Sequence, residues 1–133
     1  MDSLIIEGTE DSPSVMFDTS SNRFVISGES RPENAGKFYA PLIDWIIKFE
    51  GIAYFRKHEM KDDSTLVFVF KFDYFNSTSA KYIMDVLLIV KKFAGQGYKI
   101  NIEWHYDKRS EDILDAGKEF SDMADLKFDF IEA

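Results

Sequence analysis

An apolar strand, Phe68-Val69-Phe70-Lys71-Phe72-Asp73-Tyr74-Phe75, runs through Asn76-Ser77-Thr78-Ser79 into a long stretch with helical apolar spacing. A further strand pattern follows at Lys99 to Tyr106. A strand, a helix and a strand in such close succession close as a right-handed parallel crossover. The unit from Leu66 to Tyr106 therefore fixes a parallel centre, and the remaining segments must be arranged around it. The junction has a chemical consequence as well. Unpaired N–H groups and the dipole at a helix N-terminus favour added negative charge, so a phosphate on one of these hydroxyls is compatible with the fold. Spacing alone assigns Ser77, Thr78 or Ser79 a plainer role, that of an ordinary helix cap.

The flanking segments extend the pattern. Leu4 to Glu7 reads as a short strand, followed by a loop over Gly8 to Pro13. Val15 to Asp18 and Arg23 to Gly28 flank Thr19-Ser20-Ser21-Asn22 as a hairpin, and Ser30 to Asn34 is a polar loop. Phe38, Leu42, Trp45 and Phe49 then recur with helical period, which predicts a helix from about Lys37 to Gly51 with Pro41 in or near its first turn. Ile52 to His58 and Ser64 to Phe72 are expected to be strands, separated by a charged turn. A second helix is expected over Ser79 to Ala94, a third over Ser110 to Met123, and a last strand over Leu126 to Ile131. The sum is an α/β chain, a mixed sheet with about three helices packed against it, in one domain spanning residues 1–133.

Composition narrows the function. The chain is 45% hydrophobic with 13 Phe, 6 Tyr and 2 Trp, which predicts an aromatic-rich core. A net charge of −8 without any run of Lys or Arg argues against a nucleic-acid partner. The absence of cysteine excludes disulfides, thiolate metal sites and thiol catalysis. The N-terminus lacks the positive and apolar regions of a signal peptide, and the longest apolar run, Val86 to Val90, is too short to span a bilayer. A soluble cytoplasmic protein without a cofactor is expected.

Two residue groups have the composition of a site. On a helical wheel, Ser77, Lys81, Met84, Asp85, Leu88, Lys91 and Lys92 share the arc opposite the core-facing residues. Met84 and Leu88, one turn apart in polar company beneath the hydroxyl cluster, suggest a small docking surface; the plainer reading is contact with a neighbouring loop. Glu103, His105 and Asp107 alternate onto one side of their strand, which permits an acid–base or metal arrangement. Such a metal site would need further ligands, and no nucleophile elbow, phosphate-binding loop or His-Glu-x-x-His motif occurs, so a structural role for His105 is the better reading.

Taken in order, Ser30-Arg31-Pro32-Glu33-Asn34, Pro41-Leu42-Ile43-Asp44-Trp45, Tyr74-Phe75-Asn76-Ser77-Thr78-Ser79-Ala80-Lys81, Met84-Asp85 and Glu103-Trp104-His105-Tyr106-Asp107 resemble the SiaC family of bacterial regulatory phosphoproteins. That family is itself similar to anti-anti-sigma factor (STAS-like) proteins. The likeness extends from the Gly8-Thr9 loop to the closing Phe128-Asp129-Phe130-Ile131. It implies a switch protein, not an enzyme. A Ser/Thr kinase of histidine-kinase-like fold would phosphorylate a hydroxyl at the start of the second helix, and a PP2C-type phosphatase would remove the phosphate. The unmodified form would bind and regulate a downstream effector such as a diguanylate cyclase. Position for position the acceptor falls on Ser77, with Thr78 second, because the threonine stands one place later than in the family's Asn-Thr-Ser-Ser type stretch. Asn76, Ser79, Lys81, Met84 and Leu88 would form the partner-contacting surface. The alternatives are a constitutive adaptor, or a small enzyme or ligand-binding domain built on Glu103, His105 and Asp107.

Overall fold

The computed structural model describes residues 1–133. In chain order the elements are β1 (Leu4–Ile6), β2 (Ser14–Asp18), β3 (Arg23–Ser30), α1 (Ala35–His58), β4 (Leu66–Phe75), α2 (Ser77–Gly95), β5 (Ile100–Tyr106), α3 (Glu111–Ala124) and β6 (Asp129–Glu132). The six strands form one mixed sheet in sequence order, antiparallel from β1 to β3 and parallel from β3 to β6. Each parallel step is crossed by one helix. With strands adjacent in order and crossovers of one hand, all three helices lie on the same face.

Burial agrees with that arrangement. Phe24, Ile26, Phe68, Phe70, Ile102 and Trp104 point to the helical face and join one core with Tyr39, Leu42, Ile83, Leu87 and Phe120. The opposite face carries no helix. Across it runs a register row, Ile5, Met16, Val25, Val69, Glu103 and Asp129, apolar at the antiparallel end and charged at the other.

The core is aromatic, as the composition implies. Trp104 is fully buried, its ring within 6.3 Å of those of Phe70, Phe72, Phe75, Phe120 and Phe128. Its Nε1 donates to the Ile113 carbonyl at 2.9 Å, so the indole ties β5 to α3 without an unpaired polar atom. α3 approaches so closely because residue 117 is glycine: a Cβ there would lie 2.5 Å from the indole.

The expected strand over Ile52 to His58 is not formed, and Gly51 does not end α1. The helix begins at Ala35 and continues to His58. The reason is the buried face: Tyr39, Leu42, Trp45, Ile46, Phe49 and Ala53 keep the helical period past the glycine. An interior glycine costs only about 1 kcal/mol relative to alanine. The last turns are also tied down, since Arg56 Nη1 donates to the Thr19 carbonyl at 2.7 Å and to Asn22 Oδ1 at 2.9 Å. At the chain's end the strand is β6, displaced toward the C-terminus from the expected Leu126 to Ile131. No helix is long and apolar enough to cross a membrane.

Candidate functional site

At the β4–α2 junction the helix is capped by Asn76 and not by a hydroxyl. Asn76 is extended, with φ −89° and ψ 173°, and its side chain accepts from the Ser79 N–H at 2.9 Å. Its carbonyl accepts from the Ala80 N–H at 3.0 Å, while its own N–H donates to the Ser30 carbonyl at 3.1 Å. The capping role expected of Ser77, Thr78 or Ser79 is thus taken by the amide one residue earlier, which starts α2 at Ser77.

That shift sorts the three hydroxyls. Ser77 and Thr78, the first and second helical residues, are exposed. Ser79 is wholly buried, so its expected place on the partner-contacting surface is corrected: its side chain points inward. It donates to the Ser30 carbonyl at 3.0 Å and accepts from the Ser30 hydroxyl at 2.9 Å. Because the single Ser30 proton is committed to Ser79, the 2.7 Å contact between Ser30 Oγ and the Tyr39 hydroxyl has tyrosine as donor. Burial pushes the Tyr39 hydroxyl up to about 12, against a smaller opposing effect of the Ser30 bond. Ser30 and Tyr39 were not visible as partners of this junction in the sequence. They lie 49 and 40 residues from Ser79, and nothing in a local pattern reports such pairings.

From the junction an outward stripe runs along α2. Lys81, one turn after Ser77, is exposed, with Nζ 3.8 Å from Asp85 Oδ2 and 4.4 Å above the Tyr82 ring. Leu88 is 49% exposed, whereas Met84 is half-buried against the core and offers only part of its surface. Asn76 is half-buried behind the exposed pair. The stripe therefore combines two free hydroxyls, a lysine held only by solvent-screened contacts and a modest apolar strip.

The second candidate group does not assemble. His105 Nε2 lies 2.8 Å from Glu103 Oε1, and Arg23 approaches the same oxygen at 3.4 Å, on the helix-free face of the sheet. The hydrogen bond from His105 chiefly, with the Arg23 charge, holds the Glu103 carboxyl below its usual range. Asp107 turns away: it accepts from the Arg109 backbone N–H at 2.8 Å and pairs with the Arg109 guanidinium. No group of three His, Asp or Glu side chains in the molecule is placed to hold a metal ion.

The model of the family described as SiaC family regulatory phosphoprotein matches residues 6–133. The chain belongs to that family. An uncharacterized protein of Pseudomonas aeruginosa strain UCBPP-PA14 is 29% identical over 128 residues, covering 96% of this chain and 94% of the relative. The crystal structure of apo-SiaC from P. aeruginosa matches with a TM-score of 0.81 at 27% identity, over 99% of this chain and 98% of that one. A third match, with a TM-score of 0.84 and 26% identity over 98% of this chain and 99% of that one, is found in a crystal structure of the diguanylate cyclase SiaD in complex with its activator SiaC, from the same organism. The two solved SiaC structures share the fold of this chain over essentially their whole length.

Proposed function

We propose that this chain is a cytoplasmic partner-binding switch, controlled by phosphorylation of Ser77, with Thr78 the second choice. A Ser/Thr kinase of histidine-kinase-like fold adds the phosphate and a PP2C-type phosphatase removes it. The unmodified form binds and regulates a downstream enzyme of the diguanylate cyclase class, placing the chain in cyclic-di-GMP signalling. Membership of a family of regulatory phosphoproteins, and a relative described as the activator of a diguanylate cyclase, support this reading.

The observation that carries it is the division of labour at the α2 N-terminus. Asn76 and Ser79 perform the structural tasks, which leaves Ser77 exposed at the first helical position without a structural role. A phosphate there brings roughly −1.5 to −2 charges at neutral pH and sits where the helix end stabilises it. Lys81, one turn on, is close enough in sequence to pair with it. The fold survives modification. Binding does not, because a partner lying over Ser77, Lys81, Met84 and Leu88 would have to desolvate the phosphate.

Isothermal titration against a diguanylate cyclase partner tests this. Ser77→Asp is expected to weaken binding at least tenfold, or about 1.4 kcal/mol, with an unchanged circular dichroism spectrum. Ser77→Ala should bind like the unmodified protein. If Ser77→Asp, fully folded, binds as tightly as Ser77→Ala, the blocking mechanism is wrong.

A further inference from the structure

The side of α1 turned away from the core carries Ile47, Tyr54 and Phe55, each more than half exposed at 53%, 58% and 54%. On the helical wheel they form one stripe with Asp44, Gly51 and His58. Gly51 lies at its centre. Apart from the adjoining backbone of its own helix, nothing comes within 4 Å of where its Cβ would be. Its neighbours therefore do not require glycine, and α1 carries the helix-weakening residue without internal compensation. A glycine in the middle of this stripe lets a second helix cross at close range, because the interaxial distance is set by the side chains at the contact.

We propose that this face of α1 is a homodimer interface, occupied by α1 of a second copy crossing antiparallel about a two-fold axis at Gly51. The sequence of the stripe is self-complementary about that point. A two-fold there sets Ile47 of one copy against Phe55 of the other, Asp44 against His58, and Lys48 against Tyr54. Apolar meets apolar, an acid meets a histidine, and an ammonium meets a ring face. Each pairing is made twice, as an isologous contact requires. Antiparallel crossing also aligns the two helix dipoles favourably. His58 already packs against Tyr54 within the stripe, with ring centroids 4.3 Å apart and the planes tilted by 41°. Asp44 is bound only to the exposed Lys48, at 3.0 Å, and is free to exchange partners. This surface is distinct from the α2 stripe over Ser77, so a dimer leaves the phosphorylation site open on both copies.

Sedimentation equilibrium of the full chain over a wide concentration range provides the test. The wild type should pass from one to two chains per particle. Gly51→Ala should weaken the dimer at least tenfold while raising the thermal midpoint of the monomer, and Ile47→Glu should abolish association. Because the chain has no cysteine, Asp44→Cys mixed with His58→Cys should give an intermolecular disulfide on oxidation. One chain per particle up to the solubility limit would overturn the proposal. So would a dimer that both Gly51→Ala and Ile47→Glu leave intact. A monomeric wild type whose cyclase binding is abolished by Ile47→Glu would assign the face to that enzyme instead, and would equally overturn it.

Discussion

Ser79 and Ser30 exchange two hydrogen bonds, hydroxyl to hydroxyl at 2.9 Å and hydroxyl to carbonyl at 3.0 Å, although they stand 49 residues apart. The Asn76 N–H bonds the same Ser30 carbonyl. The end of β3 is thereby clamped to the start of α2, and Tyr39 closes the chain of hydroxyls from α1. The position of Ser77 is set by three elements and not by its own helix alone.

Removing this clamp should cost stability that the exposed hydroxyls do not supply. Ser79→Ala leaves the buried Ser30 hydroxyl without its acceptor and is expected to lower unfolding free energy by about 1–3 kcal/mol. Ser77→Ala should stay within about 0.5 kcal/mol of the parent. Urea denaturation of the two variants side by side distinguishes them.

Tyr39 makes the fold alkali-sensitive. Its folded value, about 12, lies above the ordinary 10, so the folded state holds the phenolic proton more tightly than the unfolded chain. The corresponding stability is complete below pH 10 and is lost as pH rises toward 12. Tyr39→Phe should be less stable at neutral pH yet show a flatter alkaline limb, as read from denaturation midpoints across that window.

The Glu103–His105 pair acts at the other end of the scale. The Glu103 carboxyl is depressed below its usual value of 4.5, so its contribution is present above that pH and lost as pH falls through the lowered folded value. Glu103→Gln should remove that part of the acid-side loss. Thermal melts between neutral pH and the acid transition check it.

Two glycines in helices should respond oppositely to alanine. At Gly117 the added methyl would strike the Trp104 indole at 2.5 Å, and overpacking of this kind costs typically 1–3 kcal/mol. At Gly51 there is open space, and the monomer should gain up to about 1 kcal/mol. Denaturant midpoints at a concentration low enough to keep the chain monomeric compare the two.

Much of this architecture was legible in the chain. The hairpin of β2 and β3, the crossover from β4 through α2 to β5, and α3 all follow from apolar period and turn residues. The second half of α1 was not. The short apolar run Ile52-Ala53-Tyr54-Phe55 imitates a strand, and Gly51 imitates a stop. Only the burial of Ala53 and the anchoring of Arg56 on the β2–β3 turn reveal why the helix wins. At the site, the exposure of Ser77 and Lys81 matched the helical wheel. The inward turn of Ser79 did not, because its partners Ser30 and Tyr39 come from elements distant in sequence. Asp107 parted from His105 for a local reason, the Arg109 contacts two residues away. Alternation along a strand places side chains on a face without saying which neighbour each will choose.

The switch depends on which hydroxyl of the α2 N-terminus carries a phosphate. Mass spectrometry of the intact protein purified from its native host, followed by peptide mapping, addresses it directly. A singly phosphorylated species is expected, with the phosphate on Ser77, or failing that on Thr78, and none on the buried Ser79. A protein that carries no phosphate under any growth condition, or carries it only outside the α2 N-terminus, would rule out the Ser77 switch.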